Sequence, residues 1–164
     1  MNEKDKEGNY PFLEVCYNYE SFKLLLDYAT KNNILIQLND KNIKNDFPLL
    51  IITNNAEALK LLLDYATKNK MTLELNEKNI SGCYPLLKAA YNDKAIKLFT
   101  DYANGNNFTL ELNEKDDNGN YPLLKASSKP KSFKLLLDYA TKNNISLKLN
   151  EKDNDGNLSI YKCI

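Results

Sequence analysis

Two rhythms of apolar and polar residues succeed one another along the chain. Between Asn18 and Asn32, the residues Phe22, Leu25, Leu26 and Ala29 fall at i, i+3, i+4 and i+7, the stripe of a helix with one buried face. Asp27 and Lys31 lie at i, i+4 in the favourable order, worth only about 0.3 kcal/mol. The second rhythm has period two. Ile145, Leu147 and Leu149 alternate with Ser146 and Lys148, which predicts a half-exposed extended strand. Met71, Leu73 and Leu75 repeat that alternation, as do Phe108, Leu110 and Leu112.

The punctuation between the rhythms is regular. Gly8, Gly82, Gly119 and Gly156 stand in turn sequences such as DNGN, and Asn45 takes that place in the second copy. Pro11, Pro48, Pro85 and Pro122 follow, each suited to the first position of a short helix, such as one over 122–127. Asn18, Asn55 and Asn92 then predict N-caps for the longer helix, and in the fourth copy Lys129 is followed at once by Pro130. Asn32 and Asn33, or Gly105 in the third copy, suit a left-handed C-cap. The decapeptide KLLLDYATKN occurs at 23–32, 60–69 and 134–143, with KLFTDYANGN at 97–106, so the period is 37 residues. The units are about 1–37, 38–74, 75–111 and 112–148, with a partial 149–164, and together they predict one repeat domain over 1–164. No unit can bury its apolar face alone; stacked copies can.

Laid out as D-x-x-G-x-Y-P-L-L-x-A followed by K-L-L-L-D-Y-A, the unit resembles the ankyrin repeat. The resemblance rests on Asp116, Gly119, Pro122, Leu123, Ala126 and Leu135-Leu136-Leu137 with their equivalents, and covers nearly the whole chain. The fold it implies is mainly α, an ankyrin-like solenoid of stacked helix-turn-helix repeats with extended or β finger segments. The departures are specific. Tyr10, Phe47, Tyr84 and Tyr121 replace the family's Thr before the Pro, and Leu13, Leu50, Leu87 and Leu124 replace its His, so an apolar and aromatic ladder is expected instead of Thr–His hydrogen bonds. The period exceeds the family's roughly 33 residues, which requires a longer second helix or a longer finger.

Ankyrin-like proteins are protein-binding scaffolds that use finger tips and the exposed side of the first helices, on the concave face. Carried over by position, the implied contact residues are Lys4, Lys6, Glu7, Asn9, Tyr17 and Asn18 in the first unit. In the second they are Lys41, Ile43, Lys44, Asp46, Asn54 and Asn55. In the third they are Lys78, Ile80, Ser81, Cys83, Tyr91 and Asn92, and in the fourth Lys115, Asp117, Asn118, Asn120, Ser128 and Lys129. Several of these positions differ between copies while LLLDYA hardly changes. Ile43, Ile80, Tyr17 and Tyr91 are residue types that binding hot spots use, against the alternative that they pack between neighbouring fingers.

Composition narrows the chemistry. The 22 basic residues are all Lys, the 22 acidic residues balance them, and there is no Arg, His or Trp. Zero net charge without Arg argues against a nucleic-acid partner. Without His, Ser-His-Asp, Cys-His and His-ligated zinc sites are unavailable. The glycines come one per turn and form no phosphate loop. Glu3, Asp5, Glu7, Gly8 and Glu14 approach the spacing of a calcium loop, but Pro11 interrupts it, so the turn reading is preferred. No enzyme, cofactor or metal is expected. No apolar run nears the roughly 20 residues of a membrane span, and MNEKDKEGNY is not a signal peptide. Cys16, Cys83 and Cys163 form no disulfide framework. The expectation is therefore a cytoplasmic, monomeric scaffold with a protein partner. The alternative is a structural spacer of a longer repeat protein. It is favoured by the uncapped apolar residues of the first unit and by an end at Tyr161–Ile164 within a first helix. An effector that enters another organism's cells would use the same binding mechanism.

Overall fold

The structure is a computed structural model and describes residues 3–157. Eight helices occur among them, two per repeat: α1 (Pro11–Val15) and α2 (Tyr19–Lys31), α3 (Pro48–Ile52) and α4 (Ala56–Lys68), α5 (Pro85–Ala89) and α6 (Asp93–Gly105), α7 (Pro122–Ala126) and α8 (Pro130–Lys142). The protein is mainly helical. It divides into two compact units, Met1–Glu74 and Leu75–Ile164. That division falls on a repeat boundary, so each unit contains two full repeats. The expected helix at 161–164 lies outside the described residues, as does Cys163.

The helix starts follow from local chemistry. Each short helix has Pro at its first turn behind an extended Tyr or Phe. Each long helix but the last has an Asn N-cap in extended conformation. The Asn18, Asn55 and Asn92 side chains accept hydrogen bonds from Ser21, Ala58 and Ala95 N–H at 2.9, 2.9 and 3.2 Å. Lys129 makes no such cap, and Pro130 stands there with no N–H to be satisfied.

The helix ends share one motif. Asn32, Asn69, Asn106 and Asn143 each donate a side-chain amide hydrogen to the carbonyl of the tyrosine four residues earlier, at 2.8–2.9 Å. The next residue turns left-handed (Asn33, Lys70, Asn107 and Asn144, φ 53–55°). The following N–H then reaches a carbonyl five residues back, Ile34 to Ala29 in the first copy and Phe108 to Ala103 in the third. This is a Schellman closure. Gly105 is not the left-handed residue: it is the last residue of α6, and Asn107 makes the turn. Gly105 holds the register position that Lys31 holds in the first copy, so the turn stays two residues further on in both.

In the first unit α2 packs on α4; in the second, α5 packs on α7 and α6 on α8. The predicted stripe holds, with Phe22, Leu26 and Ala29 buried. Phe12 and Phe22 meet in that core, with ring centroids 5.8 Å apart. Burying side chains of this size contributes about 1.5–3 kcal/mol each.

The runs after the long helices are extended but are not strands; an isolated bridge residue at Lys152 aside, no β ladder occurs among the described residues. The alternation is real, since Ile36, Leu38, Leu110 and Leu112 are buried while Leu35, Gln37, Thr109 and Glu111 are exposed. What is missing is a neighbouring backbone. Side chains replace it. The Tyr139 hydroxyl accepts from Leu110 N–H (3.1 Å) and donates to Phe108 C=O (3.3 Å). From the start of the same repeat, the Asn76 amide donates to Thr109 C=O (2.9 Å) and accepts from Glu111 N–H (3.1 Å). In the first unit, Tyr65 holds Ile36 N–H and Ile34 C=O in the same way. Asn39 brackets Thr72 C=O and Glu74 N–H, and Asn113 brackets Ser146 C=O and Lys148 N–H.

The turns also stack. Asp5, Asn42, Asn79, Asp116 and Asp153 each accept two backbone N–H groups of their own turn. Ile43 N–H then reaches Glu7 C=O at 3.0 Å, Asp117 N–H reaches Ser81 C=O at 3.2 Å, and Asn154 N–H reaches Asn118 C=O at 3.1 Å. Gly119 has φ +76°, and a Cβ there would sit 2.8 Å from Asn154 Oδ1. Both its conformation and the close approach of the next turn require glycine.

Candidate functional site

The aromatic residue before each Pro is core. Tyr10, Phe47, Tyr84 and Tyr121 are buried. The tyrosine hydroxyls reach carbonyls of the following repeat, Tyr10 to Asp40 (2.8 Å), Tyr84 to Glu114 (3.1 Å) and Tyr121 to Glu151 (2.9 Å), and Tyr84 also reaches Glu111 at the end of its own repeat (3.0 Å). Burial, reinforced by neighbouring carboxylates (Asp40 for Tyr10, Glu114 and Glu111 for Tyr84), pushes the Tyr10 and Tyr84 hydroxyls well above the usual range.

A lysine lies over each ring. The ammonium groups of Lys4, Lys41, Lys78 and Lys115 are 5.5–5.9 Å from the centroids of Tyr10, Phe47, Tyr84 and Tyr121. Lys4, Lys78 and Lys115 also donate to the carbonyls of Lys41, Lys115 and Lys152. Lys41 pairs with Glu74 at 3.0 Å, Lys78 with Glu114 at 2.8 Å and Lys115 with Glu151 at 2.6 Å. The hydrogen bond from Lys78 holds the Glu114 carboxyl below its usual range, and that from Lys115 does the same for Glu151. Three positions expected to contact a partner, Lys4, Lys78 and Lys115, therefore hold repeat to repeat, and Lys41 is paired with the end of its own repeat.

Other expected contact residues are also partly committed. Asn18, Asn55 and Asn92 cap helices. The Asn120 amide donates to both oxygens of Asp116. Cys83 and Asp46 are half-buried, with their N–H groups held by Asn79 and Asn42. Lys44, Ser81, Asp117 and Asn118 point side chains outward while their backbones serve the turns; Asn54, Ser128 and Lys129 are exposed.

Four expected residues stand out by exposure: Tyr17 (66%), Ile43 (64%), Ile80 (61%) and Tyr91 (55%). They do not pack into the interior between fingers. In the first unit, partial burial and the nearby Asp46 and Glu14 carboxylates push the Tyr17 hydroxyl up. In the second unit, the Lys125 ammonium lies 6.0 Å from the Tyr91 ring centroid, a geometry of cation–π attraction. Four further exposed apolar residues, Leu24 (68%), Tyr28 (56%), Leu35 (65%) and Leu149 (39%), were not expected from sequence. Tyr28 sits inside the invariant decapeptide, where only the use made of Tyr65 and Tyr139 distinguishes it.

The Cys16 thiol is buried, donates to Phe12 C=O at 3.1 Å, and is pushed up by burial. That environment suits a structural rather than a reactive thiol. Among the described residues, no group of three or more Asp, Glu, Cys or His could hold a metal ion, and no helix is long and apolar enough to cross a membrane. What the exposed set offers is apolar and aromatic area, hydroxyl donors and amides. No protein-family model and no curated protein matches the chain.

Proposed function

We propose that the protein is a non-catalytic scaffold that binds a partner protein, through Tyr17 and Ile43 in the first unit and Ile80 and Tyr91 in the second. The observation that carries this reading is the exposure of four large side chains, 55–66%, at positions where the repeat packing leaves most of the side chain in water. Exposed Tyr and Ile beside polar groups supply the area and orientation of a hot spot. We read the repeat itself as ankyrin-like and the stack as a solenoid, with the turns and extended runs as its fingers. Proline-led short helices, Asn-capped long helices and stacked turns support that reading. The Cys16 thiol forms no disulfide, which suits a reducing cytoplasmic setting.

The test is affinity capture from the source lysate with the native chain and with a variant carrying Ser at positions 17, 43, 80 and 91, after circular dichroism shows both folded. A partner held by the native chain and lost by the variant supports the scaffold and its residues. A partner held equally by both rejects the residues. No partner for either folded chain rejects the scaffold.

A further inference from the structure

A lysine that gives up part of its hydration needs a counter-charge or dipoles in place of the water. Five lysines are half-buried among the described residues: Lys41, Lys78, Lys88, Lys115 and Lys125. Three of them have a glutamate oxygen within 3.0 Å, from Glu74 for Lys41, Glu114 for Lys78 and Glu151 for Lys115. Lys88 and Lys125 have no carboxylate partner among the described residues.

Both unpaired lysines belong to the second unit, and Tyr91 lies close to each. They hold the same register place on α5 and α7, which pack on each other. Lys88 precedes Tyr91 by one turn of chain, and the Lys125 ammonium lies 6.0 Å from the Tyr91 ring centroid. The Tyr91 side chain remains largely exposed. Local sequence adds to the positive charge. Residues 84–96 and 121–133, each running from the aromatic before the Pro into the long helix, carry five lysines and one aspartate. The equivalent stretches of the first unit, 10–22 and 47–59, carry three glutamates and no lysine. The chain as a whole has no net charge, so the positive character is local to the second unit.

We infer that Lys88, Tyr91 and Lys125 form a docking site for an acidic segment of a partner protein. Glu or Asp side chains of that segment give Lys88 and Lys125 the counter-charge that the chain itself gives Lys41, Lys78 and Lys115, and an apolar neighbour covers the Tyr91 ring. The inference rests on the proposed reading of Tyr91 as a contact residue and adds the chemistry of what meets it. Fully exposed ion pairs contribute little, because water solvates both charges well; half-burial beside an aromatic face makes these two lysines better anchors. A nucleic acid fits less well, since the chain has no Arg and no net positive charge to draw a phosphate backbone. A second copy fits less well too. The three glutamates of its first unit's stretches stand on three separate helices, α1, α2 and α4, whereas a flexible segment brings adjacent carboxylates to both lysines.

The probe is a fluorescent peptide of glutamates with interspersed leucines, titrated with the full chain and followed by anisotropy. Saturable binding is expected, weakening as salt rises from about 50 to 300 mM. The double variant Lys88→Met and Lys125→Met, which keeps the side-chain stems and removes the charges, should bind about 10-fold or more weakly. Tyr91→Ser should also weaken binding. Lys23→Glu, a charge change on an exposed lysine of α2, should have little effect, as should Ser at 17 and 43. Absence of saturable binding overturns the inference, as does equal binding by the double variant or an equal loss with Lys23→Glu. Tighter binding of a single-stranded oligonucleotide through the same two lysines would overturn it in favour of a nucleic acid. Self-association that the double variant abolishes, without peptide binding, would overturn it in favour of a second copy. A lysate partner lost by the four-Ser variant and held by the double variant would keep the scaffold and overturn this inference. Peptide binding that needs Lys88 and Lys125, with no lysate partner, would support this chemistry and reject the scaffold.

Discussion

The same tyrosine, inside the same decapeptide, has two different environments in this protein, and that difference gives a controlled test of what holds the repeats together. Tyr65 and Tyr139 are 6% and 3% exposed, and Tyr28 is 56% exposed. Replacing Tyr by Phe removes one hydroxyl and leaves ring, helix propensity and neighbouring sequence alike at all three sites. At position 139 the change deletes a bond to Phe108 C=O and one from Leu110 N–H. Each bond has a net worth of about 1 kcal/mol, and a buried N–H left without a partner costs about 1–3 kcal/mol. Leu110 is 1% exposed, so water does not replace the lost acceptor there without disturbing the packing. The expected cost of Tyr139→Phe is therefore about 2–3 kcal/mol, and Tyr65→Phe should match it. Tyr28→Phe should stay within about 0.5 kcal/mol of the native chain.

Urea unfolding followed by circular dichroism, with slope and midpoint fitted separately, measures all three. Tyrosine fluorescence should be followed in parallel, because repeat proteins can unfold unit by unit and a single free energy then loses meaning. Equal costs at positions 28 and 139 would show that the hydroxyl acts through the helix and not through the neighbouring repeat. A cost below about 0.5 kcal/mol at both 65 and 139 would show that the clasp contributes nothing.

Further outcomes follow from the turns, the caps and the titrating groups. Gly119→Ala should cost about 2–3 kcal/mol because positive φ and a clash combine, whereas Gly156→Ala should cost only about 1 kcal/mol of conformational strain; a Cβ at Gly119 would meet Asn154 Oδ1 at 2.8 Å, and one at Gly156 would meet nothing within 4 Å. Both are read from thermal or urea unfolding. Gly105→Ala should stabilise by about 0.5 kcal/mol, since the residue is helical with open space around it; a destabilisation would mean that it turns left-handed after all. The raised Tyr10 and Tyr84 hydroxyls contribute stability that is complete below the unfolded tyrosine value of about 10 and is lost as pH rises beyond it. Alkaline unfolding should thus accompany tyrosinate absorbance, and Tyr84→Phe should flatten the alkaline limb. The lowered Glu114 acts with the opposite sign, its contribution being present at neutral pH and lost as pH falls through the acid range. Lys78→Met should therefore reduce the acid dependence of stability.

What could be read from the sequence was what each repeat does with its own residues. Asn18 caps the helix that begins beside it, Pro11 opens a helix one residue after Tyr10, and Gly8 turns its own loop. The missed features are bonds between segments 27 to 37 residues apart in the chain. Tyr65 and Asn39 were visible as recurring letters, but nothing local says that they stand in for a strand's neighbour. The period-two alternation at 108–112 correctly reported which side chains are buried, and the strand expectation failed because Tyr139 and Asn76 take the hydrogen bonds a ladder would have made. Gly105 misled for a related reason: composition suggested a left-handed cap, while the register placed that duty on Asn107.

The same split between side-chain and main-chain bonds explains where the repeats are free to differ. At positions 39, 76 and 113 the bond to the extended run 33 residues on is made by the side chain, and all three are Asn. At 43 and 117 the bond to the previous repeat runs through the main-chain N–H, to Glu7 and Ser81 carbonyls, and the side chains are Ile and Asp. A bond made by the backbone places no demand on the side chain that shares the residue, so Ile43 stays 64% exposed without any cost to the turn beneath it. Positions 17 and 91 hold Tyr just after the short helices. Holding the repeats together thus fixes one set of positions and leaves another open. The residues proposed to meet a partner come from the open set, and Lys4, Lys41, Lys78 and Lys115, which their place in the repeat also suggested, belong to the fixed one.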